Sequence, residues 1–267
     1  MKLKLADFTV GYDQNGDGAE LILLHGFPHD RRLWDPVRRG VSGIARCITP
    51  DLRGFGKSST GERRASMDQY ADDLAAFMDA LGIEQAVVGG ISMGGYVTMA
   101  FWRRHRERVR ALIFCDTRAD ADSAEGRSRR DSHIELAARE GARAISKLLL
   151  PGLVSQETMA GRPDITNALE IMMAGQPVNV IISALEAMRD RQDSRASLAS
   201  IDVPTLVLVG ESDKLSPPGE ARVLVEAIPA TTTTRLEIIA GAAHLPCLER
   251  PASIVFLLSE FLSSLNP

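Results

Sequence analysis

The sequence predicts an α/β protein with a mostly parallel central sheet flanked by helices. Short apolar runs alternate with segments of helical periodicity through residues 1–117, and the same rhythm returns after Pro204. That alternation is typical of a parallel sheet with helices on both faces. Residues 118–200 contain helical patterns but no convincing strand. We therefore predict a core at residues 1–117 and 201–267, with a helical cap at residues 118–200 inserted after the sixth strand.

The elements of the first half follow from local patterns. Residues 2–12 alternate weakly and reach the turn signal NGDG at 15–18, which favours antiparallel strands. A helix should start near Ser66 and end at Gly82, because its apolar residues recur at helical spacing. Buried strands are expected at residues 21–24, 45–49 and 109–115, and a strand followed by a helix is expected within 85–100.

The second half begins with the predicted cap. Its helices are expected near residues 123–139, 141–149, 155–174 and 178–190. After them, strands are expected at 205–209 and 235–239, each followed by a helix, one ending at Ile228 and one at 251–264.

Composition excludes several classes of protein. The 267 residues carry a net charge of −4, so the chain has no electrostatic footprint for nucleic acid or an anionic membrane. No apolar run approaches the roughly 20 residues that span a bilayer, and the N-terminus lacks the apolar core of a signal peptide. Three scattered cysteines (Cys47, Cys115 and Cys247) are too few for a disulfide framework. A cytoplasmic protein, either a monomer or a small homo-oligomer, is expected.

The central motif is GISMG at residues 90–94. It fits the G-x-S-x-G nucleophile elbow, in which a serine sits on a sharp strand-to-helix turn with its hydroxyl exposed. The flanking glycines are required because side chains at those positions would collide across the turn. Ser92 is the candidate nucleophile, and the N–H of Met93 is the first candidate oxyanion donor.

A serine nucleophile needs a base, and the chain has five histidines. His105 and His133 lie in strongly charged segments and are expected at the surface. His25 is expected to hold its loop in place. His244 follows the last strand among small residues that would let its ring enter a cleft, so it is the candidate general base.

The imidazole in turn needs a carboxylate. Asp213 follows the preceding strand, and the order Ser92, Asp213, His244 is the one expected on this kind of sheet. Glu211 is a competitor nearer the strand end. Asp116, in the loop after residues 109–115, is the more serious alternative.

The second oxyanion donor should come from the loop HGFP at residues 25–28. Pro28 has no N–H, so the N–H of Phe27 is expected to donate. The glycine-rich run at residues 51–58 lacks the G-x-x-x-x-G-K-[ST] spacing of a phosphate loop, and we interpret it as structural.

These motifs together resemble those of α/β-hydrolase-fold proteins over essentially the full chain. The matching runs are HGFP (25–28), DLRGFGKS (51–58), GISMGG (90–95), GESD (210–213) and GAAH (241–244). The resemblance implies a Ser92/His244/Asp213 triad and the helical cap. Within the family the chain is most similar to small bacterial carboxylesterases, cofactor-free haloperoxidase/perhydrolase-like proteins and 3-oxoadipate enol-lactonase-like proteins.

Differences from the motifs of some branches of the family narrow the set of enzymes that the chain resembles. Position 92 is Ser rather than Asp, which argues against dehalogenases and epoxide hydrolases. The HGGG loop of many lipases is absent, and no Trp follows Ser92 as in the usual proline iminopeptidase pattern.

The predicted function is hydrolysis of small to medium carboxylic esters through an acyl-enzyme, with no metal or organic cofactor. An enol-lactone hydrolase and a perhydrolase using the same triad are alternatives; a lactonase should need a cation in its pocket, with Arg118 or Arg53 as candidates. A second class is a weakly catalytic small-ligand receptor, which turnover would distinguish. Six residues of the predicted cap are candidates for the acyl pocket or for the core: Met172, Met173, Ile181, Ile182, Leu185 and Met188.

Overall fold

An eight-stranded sheet in the order β1-β2-β4-β3-β5-β6-β7-β8 forms the centre of the computed structural model, which describes residues 1–265. β1 and β2 are antiparallel to their neighbours, and the other adjacent strands are parallel. The strands are Lys2–Lys4 (β1), Thr9–Asn15 (β2), Ala19–Leu24 (β3), Ala45–Pro50 (β4), Ala86–Ile91 (β5), Val109–Cys115 (β6), Thr205–Gly210 (β7) and Thr234–Ile239 (β8). The predicted mostly parallel sheet is confirmed.

Helices cover both faces of the sheet. The helices outside the segment between β6 and β7 are Asp35–Gly40 (α1), Met67–Ala80 (α2), Met93–His105 (α3), Pro218–Ala227 (α10), Pro246–Glu249 (α11) and Pro251–Ser264 (α12). Short 3₁₀ turns lie at Arg31–Trp34 and Arg106–Arg108. Strand β3 shows the division of the core: Ile22 and Leu24 join the apolar cluster under α2 and α3, while Leu21 and Leu23 join the cluster under α1 and α12. The period of two in a strand produces this alternation.

Helix α2 shows how local signals set the boundaries of an element. Ser66 accepts a hydrogen bond from the Gln69 amide at 3.0 Å and caps the first turn. Gly82, with φ of +69°, stops the helix in the left-handed conformation that glycine adopts most easily. The predicted helix over residues 66–82 is confirmed to within a residue or two.

All of the regular secondary structure between β6 and β7 is helical. Its helices are Ala124–Glu140 (α4), Ala142–Leu153 (α5), Gln156–Gly161 (α6), Pro163–Ala174 (α7), Val178–Arg189 (α8) and Arg195–Leu198 (α9). The Ser194 amide donates to the Ala119 carbonyl at 2.8 Å, which ties the end of the segment to its beginning. Helices α9 and α11 were not anticipated, because four residues are too few to show a period.

The parallel register aligns the carboxyl ends of the strands. Leu24 pairs with Gly90, Ile91 with Cys115, and Gly210 with Ile239. The loops that follow β3, β5, β6, β7 and β8 therefore emerge at one edge of the sheet. The predicted core range 201–267 ends in two residues that lie outside the described chain. No single helix within residues 1–265 is long and apolar enough to cross a membrane; only α7 and α8 taken together, bent by 94°, reach that length and composition.

Candidate active site

Ser92 occupies the sharp turn between β5 and α3. Its backbone has φ of 53° and ψ of −114°, a conformation that L-residues rarely adopt and that costs about 1–3 kcal/mol. Hydrogen bonds hold the turn: the Ser92 amide donates to the Cys115 carbonyl at 3.0 Å, and the Ser92 carbonyl accepts from the Thr117 hydroxyl at 2.9 Å. Strand β6 and its following loop therefore stabilise the strained residue.

The two glycines of the motif are required by close packing. A Cβ on Gly90 would collide with the carbonyl group of Gly94, and a Cβ on Gly94 would collide with the Leu24 carbonyl oxygen. The predicted reason for the glycine bracket, a clash across the turn, is confirmed.

His244 and Asp213 form a buried pair at the same sheet edge. The Nδ1 atom of His244 lies 2.8 Å from Oδ2 of Asp213, and the two side chains are 3% and 0% exposed. With the Nδ1–H donating to the carboxylate, Nε2 is the nitrogen left to act as a base. Burial alone would raise the pKa of Asp213, but His244 and the backbone amides of Ser216 and Leu215 lower it below its usual value. Asp213 therefore stays ionised beside the imidazole.

The alternative carboxylates have other partners. Asp116 accepts hydrogen bonds from the Gly210 amide at 2.8 Å and from the Cys115 thiol at 3.0 Å. Burial and the neighbouring Asp213 raise the pKa of Asp116 well above its usual value. Glu211 is exposed and accepts a hydrogen bond from the Gly241 amide at 3.1 Å. Of the three acids weighed from the sequence, Asp213 is the one hydrogen-bonded to His244.

Asp116, Asp213 and His244 are close enough to be considered as metal ligands, since one potential donor atom from each lies within 4.8 Å of the others. The atoms that face one another in this group are already hydrogen-bonded: Nδ1 of His244 bonds to Asp213, whose other oxygen accepts from Leu215 at 2.8 Å and Ser216 at 3.1 Å. A cation here would also require an ionised Asp116, which its surroundings oppose. The donor set therefore fits a proton-sharing cluster better than a metal.

The loop after β3 passes directly beside Ser92. A Cβ built on Gly26 would lie 3.3 Å from Cβ of Ser92. The His25 ring fixes this loop, because Nδ1 lies 2.9 Å from the Gly26 carbonyl and Nε2 accepts from the Leu52 amide at 3.0 Å. The predicted structural role of His25 is thus confirmed. Within residues 1–265 the amides of Phe27 and Met93 donate to no other protein atom, so both remain free for a ligand.

Ser92, Phe27 and His244 line one cavity of about 410 Å³, between the sheet edge and the helices inserted after β6. Within residues 1–265 no hydrogen bond joins the side chains of Ser92 and His244. Such contacts are often long in ligand-free enzymes and tighten when substrate binds. The apolar lining includes Leu149, Leu153, Met188, Leu215 and Pro217. Of the six candidates from residues 172–188, Met188 alone lines this cavity.

The polar lining of the cavity corrects one expectation and distinguishes between two candidate cations. His133, expected at the surface, lines the cavity and is half-buried. Of the two candidate pocket cations, Arg118 lines the cavity, whereas Arg53 is buried elsewhere in ion pairs with Asp7 and Asp73. Sequence reasoning also missed the other polar lining residues: Tyr96, Arg129, Arg130, Lys214, Ser216 and Glu220. The spacing of Arg129, Arg130 and His133 predicts that these three residues share one face of a helix. It does not predict that this face lines a cavity.

The fold and its strained serine define the class: a serine on a strand-to-helix turn of a mostly parallel sheet is the architecture of α/β hydrolases. A sequence profile for the alpha/beta hydrolase fold matches residues 20–140. A malate-bound thermophilic esterase from Thermogutta terrifontis is 35% identical over the whole of both chains, with a TM-score of 0.95. The protein belongs to the α/β-hydrolase family.

Two further similarities concern lactonases. The enol-lactonase from Burkholderia xenovorans is 26% identical, with a TM-score of 0.90 over 98% of this chain and 100% of its own. The protein called 3-oxoadipate enol-lactonase 2, from Acinetobacter baylyi, is 27% identical over 99% of this chain and 97% of its own length. These relatives support hydrolase activity.

Proposed function

We propose that the protein is a serine hydrolase that cleaves carboxylic esters of small to medium acyl size through an acyl-enzyme. One observation carries the proposal: the strained Ser92 and the Asp213–His244 pair open on the same cavity. A serine held in this conformation presents its hydroxyl to a bound carbonyl, and the strain has no structural purpose if the hydroxyl is idle.

In the proposed reaction Ser92 Oγ attacks the acyl carbonyl while Nε2 of His244 accepts the hydroxyl proton. The amides of Phe27 and Met93 stabilise the oxyanion, each contributing roughly 10²–10³ in rate. Asp213 stabilises the imidazolium. His244 then protonates the leaving alkoxide, and a water repeats the sequence on the acyl-enzyme to release the acid. No metal or organic cofactor takes part.

Hydrolysis of lactones by the same residues is the second candidate. A lactone is an internal ester, so its ring opens by the same attack and the leaving alkoxide remains attached to the acyl group. The similarity to two enol-lactonases supports this substrate class. A perhydrolase would need a loop that directs peroxide at the acyl-enzyme, and comparing peracid formation with ester hydrolysis would detect it. A weakly catalytic receptor would bind without turnover.

The test is the hydrolysis of p-nitrophenyl esters from acetate to decanoate by wild type and Ser92→Ala. We expect a clear chain-length optimum and a loss of nearly all turnover in the variant. Ser212→Ala, which removes an exposed hydroxyl near the site, is the matched control and should retain wild-type rates. Residual activity of Ser92→Ala within tenfold of wild type would disprove the assignment.

A second readout does not depend on the choice of ester. A fluorophosphonate reagent should label the wild-type protein once, at the peptide that contains Ser92, and should leave Ser92→Ala unlabelled. The cellular setting belongs to the same proposal: the cysteines at 47, 115 and 247 are free and buried, which suits a reducing cytoplasm. Neither nucleic acid nor a membrane is a proposed partner.

A further inference from the structure

The cavity that contains Ser92 has a strongly cationic wall. We define the cationic wall as Arg118, Arg129, Arg130 and Lys214, all of which line the cavity. Glu220 is the one acidic residue among the lining side chains. Because the whole chain has a net charge of −4, this concentration of positive charge does not reflect overall composition.

The protein supplies too few carboxylates for these cations. The buried Asp122 serves three guanidinium groups at once: Arg118 at 3.3 Å, Arg130 at 3.0 Å and Arg191 at 2.7 Å. Asp120 adds one contact, at 3.5 Å from Arg118. In the described chain, residues 1–265, neither Arg129 nor Lys214 forms an ion pair. Excess positive charge therefore lines the cavity. Arg118 and Arg130 are half-buried there, whereas Arg129 and Lys214 are exposed and more strongly screened by solvent.

His133 adds a neutral hydrogen-bonding side chain to the same wall of the cavity. Its Nδ1 atom is buried and has no hydrogen-bond partner. Burial, together with Arg130 and Arg129, lowers the pKa of His133, so its ring is neutral at physiological pH. An unpartnered buried nitrogen costs free energy that a ligand's hydrogen bond would recover. A neutral imidazole can donate its ring N–H to an anion without adding charge.

We propose that the cationic wall and His133 bind a carboxylate carried by the substrate, so that the natural ester or lactone is an organic anion. The assignment rests on the proposed function, because it takes Ser92 as the reacting residue. Guanidinium groups match the geometry of a carboxylate and can bind it through two parallel hydrogen bonds. A cavity of about 410 Å³ fits a small acid whose ester group reaches Ser92 while its carboxylate reaches the wall.

The experiment compares two substrates that differ only in the terminal group of the acyl chain: the p-nitrophenyl hemiester of glutaric acid and p-nitrophenyl valerate. In wild type we expect kcat/KM for the hemiester to exceed that for valerate by at least about tenfold, the size of one charged hydrogen bond. In Arg129→Gln this ratio should fall by about tenfold. Arg129 is the variant of choice because it leaves the ion pairs of Asp122 intact.

Arg127→Gln is the matched control. It removes the same charge from an equally exposed position on the same helix, but Arg127 pairs with Asp190 at 3.3 Å and does not line the cavity. The hemiester-to-valerate ratio should stay at its wild-type value. An equal fall in Arg127→Gln and Arg129→Gln would overturn the proposal, because it would indicate a long-range effect of net charge rather than a binding site.

A binding measurement separates this proposal from the proposed function. Calorimetry on Ser92→Ala with glutarate needs no turnover, and we expect saturable binding that Arg129→Gln weakens about tenfold. Serine-dependent hydrolysis with a ratio near one and no glutarate binding would overturn the carboxylate site while leaving the esterase proposal intact. Tighter binding of inorganic phosphate than of glutarate would also overturn it. Glutarate binding without any serine-dependent turnover would support the site and contradict the hydrolase.

Discussion

The carboxyl groups of Asp116 and Asp213 lie side by side at the ends of β6 and β7, each with an oxygen within 4.8 Å of the other. Their environments give the two carboxyl groups different protonation states. Asp213 bonds to His244 and two backbone amides and keeps its charge, whereas Asp116 is fully buried and its pKa is raised by burial and by Asp213. One negative charge, rather than two, therefore faces the imidazole.

This difference in protonation predicts unequal effects of two isosteric substitutions. Asp213→Asn should lower kcat by roughly 10³–10⁴, because the imidazole loses its charged partner and its tautomer is no longer fixed. Asp116→Asn replaces a neutral carboxyl with a neutral amide and should stay within about tenfold of wild type. Steady-state kinetics on p-nitrophenyl esters would measure both. Losses of equal size would mean that the two carboxylates share the catalytic role.

Asp116 should also make stability depend on pH. The unfolded chain releases this proton near its ordinary pKa, while the folded protein retains it to higher pH. The unfolded state then binds fewer protons, so the contribution of Asp116 to stability falls as pH rises above about 4. The free energy of unfolding of Asp116→Asn, relative to wild type, should therefore increase between about pH 5 and pH 8.

Urea unfolding across that range would test this. Asp164→Asn is the control: Arg162 lowers the pKa of the exposed Asp164, so this carboxyl group is ionised in both the folded and the unfolded states across that range, and its difference from wild type should stay flat. A flat difference for Asp116→Asn would show that Asp116 ionises normally in the folded protein.

Gly26→Ala should impair catalysis by moving the loop that carries Phe27. The new methyl group would lie 3.2 Å from the Ile91 carbonyl oxygen and 3.3 Å from Cβ of Ser92, so the loop must shift by a few tenths of an ångström. Because a misplacement near 1 Å can cost about 10² in rate, we expect a loss in kcat of roughly tenfold or more. Gly43→Ala, where a Cβ has nothing within 4 Å, should behave as wild type.

Arg53→Gln should destabilise the fold without changing substrate preference. Arg53 is buried and bonds to the buried Asp73 at 2.6 Å and to the partly exposed Asp7 at 3.0 Å, so removing it leaves the Asp73 carboxylate uncompensated. The expected loss is about 3–5 kcal/mol in the free energy of unfolding. Arg106→Gln, which breaks an exposed pair with Asp202, should cost about 1 kcal/mol or less. Denaturant melts would measure both, and a changed hemiester-to-valerate ratio in Arg53→Gln would contradict this interpretation.

The sheet, the ends of α2 and the motif around Ser92 were predictable from the sequence, whereas the helices α9 and α11 and the division of residues 155–174 into α6 and α7 were not. The predictable elements depend on short-range features: the period of apolar residues, the cap at Ser66, and glycines that leave room for a close turn. The position of His244 after the last strand was predictable for the same reason, since parallel strands bring their following loops to one edge. The individual roles of Ser92, His244 and Asp213 in catalysis remain predictions.

The side chains that meet at that edge became clear from long-range packing. Asp213 and Asp116 follow neighbouring strands, and their different hydrogen-bond partners separate them. His133 and Arg129 lie in α4, a charged helix whose sequence predicts a solvent-exposed surface. In the structure α4 packs against α8, and both residues line the cavity. Arg53 follows a strand end but is drawn into the core by two carboxylates. The apolar period of a helix or strand shows which residues lie on the same face. Contacts between distant parts of the chain determine which other element, or which cavity, that face lies against.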